Sequence, residues 1–287
     1  MRKTTRARWM LAGQQGLRQG NGVSDFDAPI ELAGHRAFFL TSGLLFVAST
    51  AITVYWCNSM SGGIAMPGGW TLSMNWMRMP GQSWFEAAAS FLGMWAVMMV
   101  AMMLPVLIPA LLRYRQSYGG SQSTSLATLT AIAGAAYIIV WVVPGALLYP
   151  FGIVLAKTVM ASELLAEWVP IAAGMILLLA GYLQLTKWKV RQLCHCQFAV
   201  AGGKAPTWNA RGAWDHGIRL GTDCARCCCG LMAVMLVSGI MNVGIMALVT
   251  VAIAAERLFG HAERVARTTG LILIASAVFM IGRYLSN

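Results

Sequence analysis

Residues 85–112 read FEAAASFLGMWAVMMVAMMLPVLIPALL, and this stretch decides the class of fold. It carries one charged residue, Glu86, close to its start. A helix that crosses the hydrocarbon of a bilayer needs roughly 20 consecutive apolar residues. A soluble domain has too little polar surface to cover a run of this length. The stretch therefore predicts a transmembrane helix.

The rest of the chain has the same character. It is 58% hydrophobic and 11% charged, whereas a soluble domain carries about a quarter charged residues. Strands with the period-two alternation of a membrane β-barrel are not visible. Five further apolar runs are Phe38–Cys57, Leu126–Gly152, Val169–Thr186, Cys227–Ala255 and Thr269–Ile281. The sequence predicts an all-α, polytopic membrane helix bundle with about six transmembrane helices.

The chain divides into a tail and a transmembrane domain. Residues 1–36 begin with basic residues but lack the apolar core of a cleavable signal, so we predict a mobile, basic cytoplasmic tail. Residues 37–287 form the predicted six-helix domain, with a cytoplasmic, cysteine-containing loop at 188–223. If the N-terminus is inside, sixteen of the 21 Lys and Arg fall on the inner side, as the positive-inside rule requires. Arg257, Arg264 and Arg267 fall on the outer side in this scheme.

This charge distribution predicts a multi-pass protein of the bacterial cytoplasmic membrane with a cytoplasmic N-terminus. It also explains the net charge of +11 as a topology signal. The lipid bilayer is the expected partner, and nucleic acid is not.

Four cysteines are crowded into residues 224–229. Positions i, i+3 and i+4 share one face of a helix, so Cys224, Cys227 and Cys228 can converge, while Cys229 lies well round the axis. We expect the helix to begin near Asp223 or Cys224. In that position the helix dipole and Arg226 would favour thiolates.

A second group of cysteines, Cys194-His195-Cys196, ends the basic continuation of the fourth apolar run. Cytoplasmic thiols stay reduced, so disulfides are not expected. Two groups on neighbouring helices predict a metal site, with His195 and His216 as possible extra ligands. The alternative is that these are scattered cysteines acting as small apolar residues. The predicted ligands are Cys196, Cys224, Cys227 and Cys228, with Cys194 as a substitute.

Methionines supply a second set of soft donors. Met98 and Met102 lie four residues apart in the second apolar run. Met232 and Met235 follow the cysteines, on a face that the fifth run would continue through Asn242. Thioethers select Cu(I), so we predict secondary donors here. The alternative is that these methionines pack irregular gaps in the core.

The motifs resemble a family of bacterial integral membrane proteins that are predicted to bind metal. The family-like segments are MWAVMMVAMMLPVLIP, GYLQLTKWKVRQLCHC and GIRLGTDCARCCCGLM, the last followed by GIMN. They carry an Ala-Met-Met-x-Pro motif and a Cys-x-x-Cys-Cys motif. The family's earlier loop cysteine would fall near Gln192, whereas this chain has Cys194, and its tryptophan after the paired cysteines is Cys229 here. The resemblance implies metal binding.

The favoured function is soft-metal handling at the cytoplasmic membrane, with copper as the first choice and another soft metal as the second. A chaperone, an insertion factor and a transport route all fit, with a metal-delivery or membrane-complex protein as partner. An enzyme is not expected. The alternatives are a membrane thiol–disulfide redox protein using Cys224 and Cys227, and a structural subunit of a membrane complex. The redox protein would need reactive thiols, and the structural subunit would need no thiols at all.

Overall fold

The computed structural model describes residues 28–59, 63–66, 70–73, 76, 81–117, 123–202, 208–258 and 261–286. Within these ranges the regular secondary structure is helical apart from one antiparallel pair of short strands, in which Gly63 pairs with Ser73 and Met66 with Trp70. The elements are α1 (Ala28–Ser59), β1 (Gly63–Met66), β2 (Trp70–Ser73), α2 (Trp84–Gln116), α3 (Ser123–Ala161), α4 (Glu163–Leu185), α5 (Lys187–Gly202), α6 (Ala210–Ser238), α7 (Val243–Leu258) and α8 (Ala262–Leu285).

Six of these helices are long and apolar enough to cross a membrane, namely α1, α2, α3, α4, α6 and α8. The predicted all-α membrane bundle is confirmed. The chain separates into two compact units at Thr41 and Ser42, within α1. In the first unit the described residues are helical from Ala28 onward, and most of the predicted N-terminal tail lies outside the described residues.

Close helix contacts set the order of packing around α3. Trp95 on α2 donates its indole N–H to the Trp141 carbonyl on α3 at 2.8 Å, in an antiparallel pair. Helix α6 runs parallel to α3. A Cβ added at Gly217 of α6 would collide with the Ala133 carbonyl, and one at Gly221 would lie 2.9 Å from Val140 Cβ. Glycine at these two positions lets α6 approach α3 closely.

Helices α4 and α8 form a second antiparallel pair. A Cβ added at Gly181 would lie 2.9 Å from the Gly270 carbonyl oxygen, and the reverse addition gives the same separation. Near the other end, Tyr284 Oη donates to the Glu167 carbonyl at 2.6 Å. The beginning of α8 therefore lies beside the carboxyl end of α4, close to where α5 starts.

The fifth apolar run is not one helix, and the prediction that it is one was wrong. Helix α6 ends at Ser238, Gly239 adopts a φ of +108°, and the Asn242 side chain accepts the Ile245 N–H at 3.1 Å to cap α7. Helix α7 then runs back, so Arg257 returns to the level of α5. Asn242 is exposed and caps a helix instead of continuing the methionine face.

This reversal also corrects the predicted topology. Arg257 lies on the same side as α5, and Arg264 and Arg267, at the start of α8, lie there with it, not on the opposite side. The hydropathy pattern misses the reversal because the chain is equally apolar before and after the turn.

The helix that carries the clustered cysteines begins earlier than predicted. Asn209 caps α6 by accepting the Gly212 N–H at 2.6 Å, and the helix starts at Ala210. The segment predicted as a loop is thus largely helical, in α5 and the first half of α6. Cys224 lies mid-helix, so a dipole effect at a first helical turn does not apply to it. The charges in 210–226 mark a polar part of the helix, and they were mistaken for a loop.

Candidate functional site

Three clustered thiols face the interior from α6. Cys224, Cys227 and Cys228 are each no more than 1% exposed, while Cys229 is exposed. The Sγ atoms of Cys224 and Cys228 are 3.9 Å apart. The helical spacing therefore predicted the buried face correctly.

A fourth thiol comes from α5. Cys196 is 4% exposed, and its thiol is hydrogen-bonded to that of Cys227. It also donates to the Asp223 carbonyl at 3.0 Å. Cys194 is exposed because two residues along a helix turn the side chain by about 200°. Of the predicted pair on α5, the structure thus brings Cys196 to the α6 thiols and leaves Cys194 at the surface.

Two cations adjoin these four thiols. Arg257 Nη2 donates to Cys196 Sγ at 2.9 Å. Lys189 Nζ donates to the Cys227 carbonyl at 2.8 Å and forms an ion pair with Glu256 Oε2 at 2.7 Å. Gln184 completes the network, since its Nε2 donates to Glu256 Oε1 at 2.6 Å. Three helices, α4, α5 and α7, thus contribute buried polar groups beside the thiols of α6.

Glu256 is 1% exposed and paired with Lys189. One prediction about charge at this site was wrong. Arg226 was expected to favour thiolates, but it points outward and lies 3.9 Å from Asp223. Helical spacing places Arg226 on the exposed side of α6, and the returning α7 supplies the nearby cation instead.

Cys196 and Lys189, both on α5, respond to this environment. The hydrogen bond with Cys227, together with burial, raises the pKa of the Cys196 thiol well above its ordinary value. Burial lowers the pKa of Lys189, but Cys227 and Glu256 raise it by more, and the net direction is upward. Lys189 therefore carries its positive charge against the thiols at neutral pH.

Two further residues contact Cys224, and sequence reasoning missed both. Tyr137 Oη on α3 donates to Cys224 Sγ at 3.0 Å, and Met103 Sδ on α2 lies 4.0 Å from the same sulfur. Both side chains are at most 1% exposed. Met103 adjoins the predicted Met102 in the Ala-Met-Met-x-Pro motif, so the motif could have indicated it. Nothing in the sequence distinguishes Tyr137.

The predicted methionines are all buried: Met98, Met102, Met232 and Met235 are between 0% and 8% exposed. Among the described sulfur contacts, it is Met103 that reaches the thiols. His216 stacks on Tyr114 with ring centroids 4.8 Å apart, and the His195 side chain lies outside the described residues.

The sulfur separations have the size that a shared metal ion needs. Metal–sulfur bonds of about 2.3 Å at tetrahedral angles place two sulfurs about 3.8 Å apart. The Cys224–Cys228 separation of 3.9 Å and the Cys224–Met103 separation of 4.0 Å are close to this value. Within the described ranges no three or more His, Cys, Asp or Glu side chains already surround one point as a metal site. The thiols are thus close in pairs.

Residues 92–280 match a protein family described as PpoB2, a copper chaperone. The match covers about two thirds of the chain. The chain belongs to the PpoB2 copper-chaperone family. Membership links it to copper handling and agrees with the metal-related family expected from its motifs. The PpoB2 match contains Met103, Tyr137, Cys196 and the α6 thiols, and it leaves out α1 and the strand pair. No curated protein and no solved structure matches the chain.

Proposed function

We propose that the protein is a membrane copper chaperone that holds Cu(I) with thiolates of Cys196, Cys224, Cys227 and Cys228. One observation carries the proposal: two helices bring four thiols together in the interior, and Met103 adds a thioether. Thiolates and thioethers are the ligands that select Cu(I). Because Cu(I) accepts two or three sulfur donors, small side-chain rotations would either widen a neighbouring pair to the linear geometry of two-coordinate binding or add a third donor.

The charges around the thiols support an anionic metal complex. Cu(I) with two thiolates carries a net charge of −1, and burying such a charge without compensation is costly. Lys189 and Arg257 outnumber Glu256 by one positive charge, and Lys189 and Glu256 are at most 3% exposed. The protein would thereby supply the counter-charge that the loaded site requires.

The corrected topology supports a cytoplasmic position for the thiols. Arg257, Arg264 and Arg267 join the basic residues of α5 and α6 at this end of the bundle, while Arg283 lies at the other end of α8. The positive-inside rule then favours a bacterial cytoplasmic membrane protein with the thiols and the N-terminus inside. Thiols stay reduced there, as a Cu(I) ligand set requires.

The protein is proposed to bind and pass on copper without catalysing a reaction, and a copper-delivering or copper-accepting protein is its proposed partner. A thiol–disulfide enzyme is less well supported, because its attacking thiol must reach a substrate disulfide. Cys224 and Cys227 are no more than 1% exposed.

An anaerobic Cu(I) titration of the reduced, detergent-purified chain, with a chromophoric chelator as competitor, tests the proposal. The wild type should take copper from the chelator, and the triple variant C224S/C227S/C228S should lose at least one bound equivalent. The variant C229S is the matched control, because Cys229 is exposed on the same helix. Equal copper content in the triple variant and the wild type would refute the site.

A further inference from the structure

A tyrosine hydroxyl adjoins the thiols, although a phenol is not a ligand that Cu(I) selects. Tyr137 Oη donates to Cys224 Sγ at 3.0 Å. Tyr137 is 1% exposed and Cys224 is 0% exposed, so water does not compete for this bond. A buried tyrosine hydroxyl usually finds a hydrogen-bond partner, but the sulfur of a neutral thiol is a weak acceptor. The hydroxyl is therefore better matched to a charged sulfur than to a neutral one.

Close packing of α3 and α6 brings these two groups together. A Cβ added at Gly221 would lie 3.2 Å from the Tyr137 carbonyl oxygen, and one added at Gly217 would collide with the Ala133 carbonyl. Ala133 lies one turn before Tyr137 on α3, and Gly221 lies nearly one turn before Cys224 on α6. Two successive turns of α3 thus rest against glycines of α6. This packing fixes the level of the Tyr137 ring beside Cys224.

The hydrogen-bond donors around the thiols differ in charge from one side of the cluster to the other. Cationic donors from α7 and α5 reach Cys196 Sγ and the Cys227 carbonyl, at 2.9 Å and 2.8 Å. Cys224 receives a neutral donor from α3 instead. A neutral donor can stabilise a thiolate without adding a further charge that must stay buried when the site is empty.

We propose that Tyr137 is a positioning residue of the copper site, an inference that rests on the proposed function. When Cu(I) binds, it replaces the thiol proton of Cys224, which passes to solvent. The hydroxyl keeps its own proton and its hydrogen bond, and no electron is transferred. Hydrogen bonds to charged groups are roughly twice as strong as neutral ones, so the bond stabilises the loaded site more than the empty one. Such a difference between the two states raises the affinity for Cu(I).

The same bond also sets the direction of the Cys224 side chain. Its Sγ can rotate about one single bond, and the hydroxyl holds it where it lies 3.9 Å from Cys228 Sγ and 4.0 Å from Met103 Sδ. Without the hydroxyl, Cys224 would have to be held in that orientation by packing alone. Tyr137 thus acts on copper through Cys224 and does not touch the ion itself.

The test compares Y137F with the wild type by anaerobic Cu(I) competition between the reduced, full-length protein in detergent and a chromophoric chelator. Phenylalanine keeps the ring and removes only the hydroxyl. Loss of a group that orients a metal ligand typically costs 10–100-fold in affinity, so we expect the dissociation constant to rise about tenfold. Y149F is the matched control, because Tyr149 lies on the same helix and packs on Phe91, with ring centroids 5.0 Å apart. It should bind as the wild type does.

Two further readouts separate positioning from a purely structural role. In a C224A background, which keeps three of the four thiols, Y137F should cause no further loss of affinity, because the two groups act as a unit. A general loosening of the site would lower the affinity in that background as well. The thiolate-to-copper charge-transfer absorption of loaded Y137F should also move to longer wavelength, because a sulfur that loses a hydrogen bond holds its electrons less tightly.

Wild-type affinity in Y137F, or an unshifted charge-transfer band, would overturn the inference and leave the proposed function standing. A full additional loss of affinity when Y137F is added to C224A would do the same. A wild type that takes no Cu(I) from the chelator would refute both.

If Y137F does not fold by circular dichroism, the wild type labelled with 3-fluorotyrosine decides the matter. Addition of Cu(I) should shift one fluorine resonance in the wild type, and that resonance should stay in place in C224A. A resonance that moves equally in both proteins, or in neither, would overturn the inference.

Discussion

Arg257 Nη2 lies 2.9 Å from Cys196 Sγ, and this contact joins two residues that are 61 positions apart in the chain. It depends on the turn at Gly239, which sends α7 back toward α5. The contact brings a permanent positive charge to a thiol that is 4% exposed. The electrostatics of the proposed copper site thus depend on how the bundle folds.

Removing the charge of Arg257 should weaken copper binding. We expect R257Q to raise the Cu(I) dissociation constant about tenfold, equivalent to about 1.4 kcal/mol, because the loaded thiolates lose a counter-ion. R257K should recover part of the affinity. The measurement is chelator competition, and R226Q is the control, since Arg226 is 67% exposed in its side chain. Equal losses of Cu(I) affinity in R226Q and R257Q would show that the affinity depends on the net charge of the protein and not on the contact with Cys196.

The two cysteines of α5 should behave differently. C196S removes a buried thiol that is hydrogen-bonded to Cys227 and Arg257, so we expect at least a tenfold loss of Cu(I) affinity. C194S removes an exposed thiol and should leave the affinity within twofold of the wild type. Anaerobic competition titrations of the two variants, compared side by side, check this. The reverse order of effects would mean that Cys194 is the ligand and Cys196 a packing residue.

Met103 should contribute to binding more than to stability. Leucine is close to methionine in volume, and such exchanges usually cost less than about 1.5 kcal/mol. We expect M103L to melt within a few degrees of the wild type and to bind Cu(I) a few times more weakly, because it loses the thioether beside Cys224. M99L is the control, because Met99 is equally buried on the same helix. Identical binding by M103L and the wild type would exclude Met103 as a donor.

The ion pair of Lys189 and Glu256 should be important for stability. Removal of one partner leaves the other charge buried and unpaired, which typically costs about 3–5 kcal/mol. We therefore expect K189M to lower the unfolding temperature of the purified protein markedly. The double variant K189M/E256Q should recover much of that loss, because it buries no unpaired charge.

The control for this prediction is K187M, since Lys187 is exposed and surface changes usually stay within about 0.5 kcal/mol. Thermal unfolding followed by circular dichroism in one detergent compares all the variants. If the losses of stability in K189M and in E256Q simply add up in the double variant, the two side chains are not directly paired.

The part of the site on α6 could be predicted because it depends on local geometry. The i, i+3 and i+4 spacing placed Cys224, Cys227 and Cys228 on one face, and the structure buries those three and exposes Cys229. The same reasoning could not choose between Cys194 and Cys196, because it does not show which side of α5 faces α6. Tyr137 was missed for a related reason: its contact with Cys224 spans 87 residues.

By itself, the sequence determined the membrane-spanning class and the inward face of the cysteines. Both follow from properties of neighbouring residues, namely the length of apolar runs and the period of the helix. Tertiary structure alone decided the reversal between α6 and α7 and the partners of Cys196 and Glu256. Apolar composition is the same on both sides of the turn at Gly239, so hydropathy carries no sign of it. Which buried charges meet is settled only when helices far apart in the chain pack together.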